Sequence, residues 1–278
     1  MSMSGKPREN ADNPGAAVFY EPLHLVFAAL GGVVLLFVVA PLAGMALHSS
    51  IPQLADTVQD AEVRASIALT LWTSMAATLL CALPAIPFAW LLARKRFPGK
   101  RLVSAVVDLP IVIPHSAAGI AVLGLLAPNR FLGGWAERAG IEFVGGAPGI
   151  MAAMAFVSLP FLVNAARVGF QAVPERLERA ALTLGASPAR VFCTVSVPLA
   201  WRGILSGLIL MFARGLSEFG AVVIIAYHPM ITPVLIYERF TAFGLDYARP
   251  VAVVFLGVCL VFFVVLRLLA KEPHDAAR

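Results

Sequence analysis

The stretch Gln171–Arg202, QAVPERLERAALTLGASPARVFCTVSVPLAWR, is a polar interruption between two long apolar runs. Its spacing predicts a helix, a glycine turn and a second helix. Pro174 suits a first helical turn, Leu177, Ala180, Ala181 and Leu184 recur at i, i+3, i+4 and i+7, and Gly185 supplies a left-handed stop. Ser187 then caps a helix that opens at Pro188, carries Val191, Phe192 and Val195 on one face and ends at Pro198. Two short amphipathic helices held between membrane spans bury little in each other, which suits them to docking in a partner's groove. The competing reading is a plain loop at the membrane surface.

The composition explains why spans flank this loop. Hydrophobic residues make up 60% of the chain, charged residues 13%, and the mean hydropathy is +0.86. An ordinary soluble domain carries about 25% charged residues. The chain therefore reads as an all-α polytopic membrane protein. Apolar segments long enough for roughly 30 Å of hydrocarbon fall at Leu25–Leu47, Ser66–Ala93, Leu102–Ala127, Gly149–Gly169, Gly203–Tyr227 and Pro250–Leu269. Six spans imply a membrane unit over 25–270, with the loop 171–202 inside it and polar tails at 1–24 and 271–278.

Cationic side chains are retained on the cytoplasmic side, so the loops orient the spans. Fifteen of the 21 Lys and Arg fall on the side that holds both termini and the loop 171–202, five (Arg64, Arg130, Arg138, Arg239 and Arg249) on the other, and Arg214 lies within a span. Both termini are expected in the cytoplasm. Topology accounts for the pI of about 9.4, and no nucleic-acid partner is needed. The first apolar run is too long, and too far from the start of the chain, for a signal peptide. Cys81, Cys193 and Cys259 show no pairing or zinc-site spacing and read as packing residues.

Within the spans, polar residues mark candidate sites, because groups at that depth usually face protein or water. Pro84 and Pro87 are expected to interrupt the second span. ARKRFPGKR at 93–101 reads as a tight basic turn. The third span contains Asp108, Pro110, Pro114, His115 and Ser116, and the fifth contains Arg214-Gly-Leu-Ser217-Glu218. Arg214 lies roughly 18 Å along the helix from Arg202, near mid-bilayer, and Glu218 one turn on can neutralise it. His115, Ser116, Arg214, Ser217 and Glu218 are the candidates for a translocation path; an internal structural tie is the alternative for Arg214 and Glu218.

The loop resembles the coupling loop of ABC-importer permeases, whose pattern is Glu-Ala-Ala, three residues, Gly, nine residues, Ile-x-Leu-Pro. Arg179-Ala180-Ala181, Gly185, Val195 and Val197-Pro198 fall on that spacing, with Arg179 at the usual Glu position and Glu178 one place earlier. The segment DLPIVIPH at 108–115 resembles the third span of molybdate and tungstate permeases, and sulfate permeases share much of the pattern. The resemblance implies that Glu178, Arg179, Ala180, Ala181, Leu184, Gly185, Val191, Phe192 and Pro198 form the surface that couples to an ATPase. It also implies a homodimer, two ATP-binding cassette subunits that hold ATP and Mg, and an external oxyanion-binding protein. This chain is expected to hold no cofactor or metal and to be no enzyme. It has no G-x-x-x-x-G-K-[ST], H-E-x-x-H or G-x-S-x-G. A passive channel is the remaining competitor, and it leaves a docking loop unexplained.

Overall fold

The computed structural model of the chain describes residues 14–269, with side chains over 23–266 and at Leu268. Among these residues there are helices and connections and no strand. Two units separate at Ser50.

The first unit is one helix, α1 (Pro14–Leu47). Pro14 is its first residue, a position where proline's fixed φ is favourable, so the helix reaches back into the expected tail 1–24. Residues 1–13 and 270–278, and with them the remainder of both tails, lie outside the described residues. From Leu23 to Leu42 every side chain on α1 is exposed, and from Leu25 onward the run is apolar throughout. Such a helix is soluble only in lipid or against other protein.

The second unit runs from α2 (Ile51–Gln59) to α13 (Leu245–Leu269). Its centre is α7 (Ala147–Ala172), packed against α3 (Ala61–Arg94) on one side and α10 (Val197–Leu216) on the other. Small residues set that packing: Gly169 of α7 and Gly203 of α10 meet backbone to backbone, and a methyl group added at Gly169 would stand 2.9 Å from Gly203 Cα. Behind this seam Ala85, Ala89, Leu92, Leu162, Ala166, Phe170 and Ile204 form one buried cluster. α3 is expected to be interrupted at Pro84 and Pro87, yet it runs unbroken through both, held along its length by α7. Its 34 residues span about 50 Å, so it projects beyond a hydrocarbon core of about 30 Å.

Two expected spans are built differently. Leu102–Ala127 is two helices, α4 (Lys100–Val112) and α5 (His115–Leu126), meeting at 114°. Pro114 forces Ile113 into extended backbone (φ −72°, ψ 146°) and offers no N–H to continue the ladder. Counting this bent pair once gives six candidate spans; the other five are single helices. The fifth span begins earlier than Gly203 and stops before Tyr227. α9 (Pro188–Val191) passes through a π turn at Phe192–Ser196 into α10, one continuous rod from Pro188 to Leu216. Pro198 therefore does not end the second loop helix. Val197 N–H bonds back to Phe192 C=O, and this wider turn makes room for a proline ring that would strike the preceding turn of a regular α-helix. The last helix likewise starts five residues before Pro250, at Leu245.

Candidate functional site

The loop between α7 and α10 folds as its spacing predicts. α8 (Glu175–Thr183) ends in a Schellman turn: Gly185 takes φ +88°, Ala186 N–H bonds to Ala181 C=O (3.1 Å) and Gly185 N–H to Leu182 C=O (3.0 Å). Ser187 Oγ accepts from Arg190 N–H (3.3 Å) and caps α9. Pro174 precedes α8 as its N-cap residue, one place earlier than expected.

The loop's outward and inward faces differ from the expected assignment. Leu184 is 88% exposed, and Leu177, Arg179, Ala180 and Leu182 are also exposed. Val191 and Phe192, expected on the docking surface, instead complete this chain's own core. Val191 is buried, and the Phe192 ring lies 5.8 Å edge-on from Trp90 and 6.2 Å from Phe170. The rod from α9 into α10 carries both inward against α3 and α7.

One carboxylate ties the loop to that core. Glu178 is buried; Arg94 Nε lies 3.1 and 3.0 Å from its two oxygens and Nη2 3.0 Å from Oε1. Ser196 Oγ donates to it at 2.8 Å and Trp90 Nε1 at 3.4 Å, while Arg94 Nη2 also reaches Val173 C=O at 2.8 Å. Burial alone pushes this carboxyl upward; the bonds from Arg94, Ser196 and Trp90 outweigh it, so its pKa lies below the ordinary value. Arg179 is exposed and, among the described residues, pairs only with Glu175, at 3.6 Å. The acid one place before the expected Glu position is thus the one that makes the ion pair. Arg94, Trp90 and Ser196 carried no signal in the sequence, because their partner lies 84, 88 and 18 residues away.

The five path candidates come together at the two breaks. α5 opens at His115, and the chain leaves helix at Ser217 before the short α11 (Val222–Ile225). Gly220 lets the breaks touch, since a methyl there would lie 2.8 Å from His115 Cβ. Arg214 Nη2 is 2.9 Å from Glu218 Oε2 and 2.9 Å from His115 Nδ1, and His115 Nδ1 is 3.3 Å from the same carboxylate oxygen. Oε2 makes these charge contacts without hydrogen-bond alignment, whereas Oε1 accepts Ala221 N–H at 2.8 Å. Glu218 is fully buried, Arg214 and His115 are partly exposed, and Ser116 and Ser217 are exposed. Arg214 and His115 thus present the polar surface, and Glu218 holds them from behind.

Two further polar features were not legible. Ser66, Thr70, Thr73, Ser74 and Thr78 form a buried hydroxyl stripe on α3. Thr70 Oγ1 accepts Thr232 N–H at 2.8 Å, and Ser74 Oγ donates to Phe212 C=O at 2.8 Å, which ties α3 to α12 (Thr232–Phe243) and α10. At the opposite end of α3 from Arg94, Arg239 Nη2 bridges Asp60 (2.7 Å) and Glu62 (3.0 Å). The Arg239 bond, outweighing burial, holds the Asp60 carboxyl below its usual range.

Residues 85–273 match the family described as binding-protein-dependent transport system inner membrane component. The chain belongs to this family. The permease is 44% identical over 251 residues to the molybdate/tungstate transport system permease protein WtpB of Thermococcus kodakarensis, covering 90% of this chain and 96% of that relative. The protein of the same name from Pyrococcus furiosus is 40% identical over 256 residues, with 91% and 98% covered. The sulfate transport system permease protein CysT of Synechocystis sp. is 32% identical over 260 residues, 91% of each chain. A crystal structure of a bacterial ABC transporter involved in the import of alginate superposes with TM-score 0.68 at 18% identity, covering 88% of this chain and 94% of that one, which establishes the shared fold. The permease is a multi-pass protein of the inner membrane.

Proposed function

We propose that this permease is the membrane-spanning subunit of an ABC importer that carries molybdate and tungstate inward. The observation that carries the cargo is the 40–44% identity, over about nine-tenths of the chain, to relatives named for those two anions, against 32% to a sulfate permease. Two copies would present two loops to two ATP-binding cassette subunits, which hold ATP and Mg, and an external binding protein would deliver the anion. The exposed Leu177, Leu182 and Leu184 supply the apolar surface of α8 for that contact, and Glu178 fixes it to α3.

Alternating access suits the charge cluster at the two breaks. A dianion crossing hydrocarbon needs polar groups, yet a tightly binding path would retain it. Arg214 is neutralised by Glu218, so the site attracts an anion weakly and offers His115, Ser116 and Ser217 beside it. Irregular backbone at both breaks is tolerated where it lines a protein cavity. The test is uptake of labelled tungstate into proteoliposomes holding the full transporter and its binding protein. Molybdate should compete at equimolar concentration and sulfate should not; equal competition by sulfate would transfer the protein to the sulfate reading.

A further inference from the structure

A second charged site lies apart from the breaks and from the loop's exposed face. Arg96, Phe97 and Gly99 of the turn after α3, with Lys100, Arg101, Ser104, Ala105 and Asp108 of α4 and Arg167 of α7, line an open cavity of about 880 Å³. Four of the lining residues are cationic and one is acidic. Asp108 accepts Asn164 Nδ2 at 2.6 Å, and its charge offsets one of the four cations, leaving the lining net positive. Among the described residues Arg96 and Arg101 make no ion pair, and Lys100 Nζ reaches only the Lys95 carbonyl, at 3.0 Å.

A basic loop by itself needs no ligand, because cations there orient the spans. Arg167 is different. It stands on a membrane helix, half-buried, with Nη1 directed to Ser104 Oγ at 3.3 Å and Nε buried without a hydrogen-bond partner. A desolvated guanidinium donor beside three further cations is unfavourable until an anion supplies acceptors. α4 also starts at the rim of the cavity, which adds the positive end of a 13-residue helix.

We propose that this cavity binds a tetrahedral, negatively charged oxyanion group, either a free oxyanion or the phosphate of an anionic lipid headgroup. Arg167 supplies the fixed, partly desolvated donor, and Arg96, Lys100 and Arg101 supply mobile charge. The volume accommodates a hydrated anion or a headgroup. The site is distinct from the Arg214 cluster and stands whichever cargo the permease carries.

The test replaces Cys81, Cys193 and Cys259 by Ala and places a reporter in the cavity as Ala105→Cys. The full-length permease is reconstituted in phosphatidylcholine nanodiscs and labelled with N-ethylmaleimide. Millimolar sodium tungstate, inorganic phosphate, or inclusion of phosphatidylglycerol is expected to slow labelling about tenfold, and Arg167→Gln to abolish the protection. Protection by tungstate or phosphate alone identifies a soluble oxyanion, and protection by phosphatidylglycerol alone identifies a headgroup. Arg101→Gln, at an exposed position, should weaken protection in a protein whose fold is untouched, so the test survives a misfolded Arg167 variant. Labelling unchanged by all three, or slowed equally by potassium chloride at matched ionic strength, overturns the site. Tungstate uptake without protection would reject the cavity and keep the transport reading; protection without uptake would do the reverse.

Discussion

Glu178 and Leu184 lie six residues apart in one loop and do opposite work. Leu184 is 88% exposed and contributes almost nothing to this chain's own packing, so Leu184→Asp should leave thermal stability within about 0.5 kcal/mol. Copurification of the ATPase subunit should fall about 30-fold, as for an interface anchor worth about 2 kcal/mol. Phe192→Ala should instead cost about 3 kcal/mol of stability, since it empties the contact with Trp90 and Phe170. An ATPase yield that falls in both variants with no loss of stability in either would contradict this division. Removing Glu178 acts through Arg94. Glu178→Ala or Arg94→Ala leaves a buried partner uncompensated and should cost about 3–5 kcal/mol, while the double variant should cost less than the sum by about 1–3 kcal/mol. Because the folded pKa of Glu178 is depressed, its stabilisation is complete above the unfolded value of about 4.3 and disappears as pH falls through the lower folded value. The melting-temperature gap between the native protein and Glu178→Gln should therefore be flat at neutral pH and close only below about pH 4.3. A gap that closes at higher pH would mean that the carboxylate is not held by Arg94.

At the scale of elements, the two breaks behave as one joint. Both lie inside runs that read as continuous spans, Leu102–Ala127 and Gly203–Tyr227, and their packing against each other depends on Gly220 meeting His115, a contact across about 100 residues with no local signature. Arg214→Ala should leave the fully buried Glu218 carboxylate facing His115 alone, at a cost of about 3–5 kcal/mol. Adding Glu218→Gln should restore at least half of the lost assembled protein on size exclusion. If the double variant assembles no better than the single one, Arg214 and Glu218 are not partners. The same reasoning separates what could be read from the sequence from what could not. Gly185, Ser187 and the α8 face were legible because caps and 3.6-residue periods are local. The inward turn of Val191 and Phe192 was not, because a π turn before Pro198 rotates the register and only tertiary packing pays for it. The 114° bend was not legible either: Pro114 stood inside a run, Leu102–Ala127, that reads as one span.

For the whole molecule, the orientation of the membrane unit rests on charge, and the fold supplies suitable positions at which to test it. Fifteen cations on one side against five on the other are the reason to expect the loop 171–202 and both termini in the cytoplasm, with α6 (Phe131–Arg138) and the Asp60–Arg239 pair outside. Gly134 is unsuitable as a label site because a side chain there would stand 2.9 Å from the Pro128 carbonyl. Glu137 and Thr183 are exposed and flank α7 in the chain, on α6 before it and on α8 after it. In a background lacking the three native cysteines, a membrane-impermeant maleimide added to intact cells should label Glu137→Cys and miss Thr183→Cys. Inside-out vesicles should reverse the pattern, labelling Thr183→Cys and missing Glu137→Cys. The reversal matters because a buried or misfolded cysteine is silent from both sides, whereas an inverted topology exchanges the two signals. Labelling of Thr183→Cys in intact cells would put the docking face outside, away from any ATPase, and the coupling function argued for α8 would fall with it.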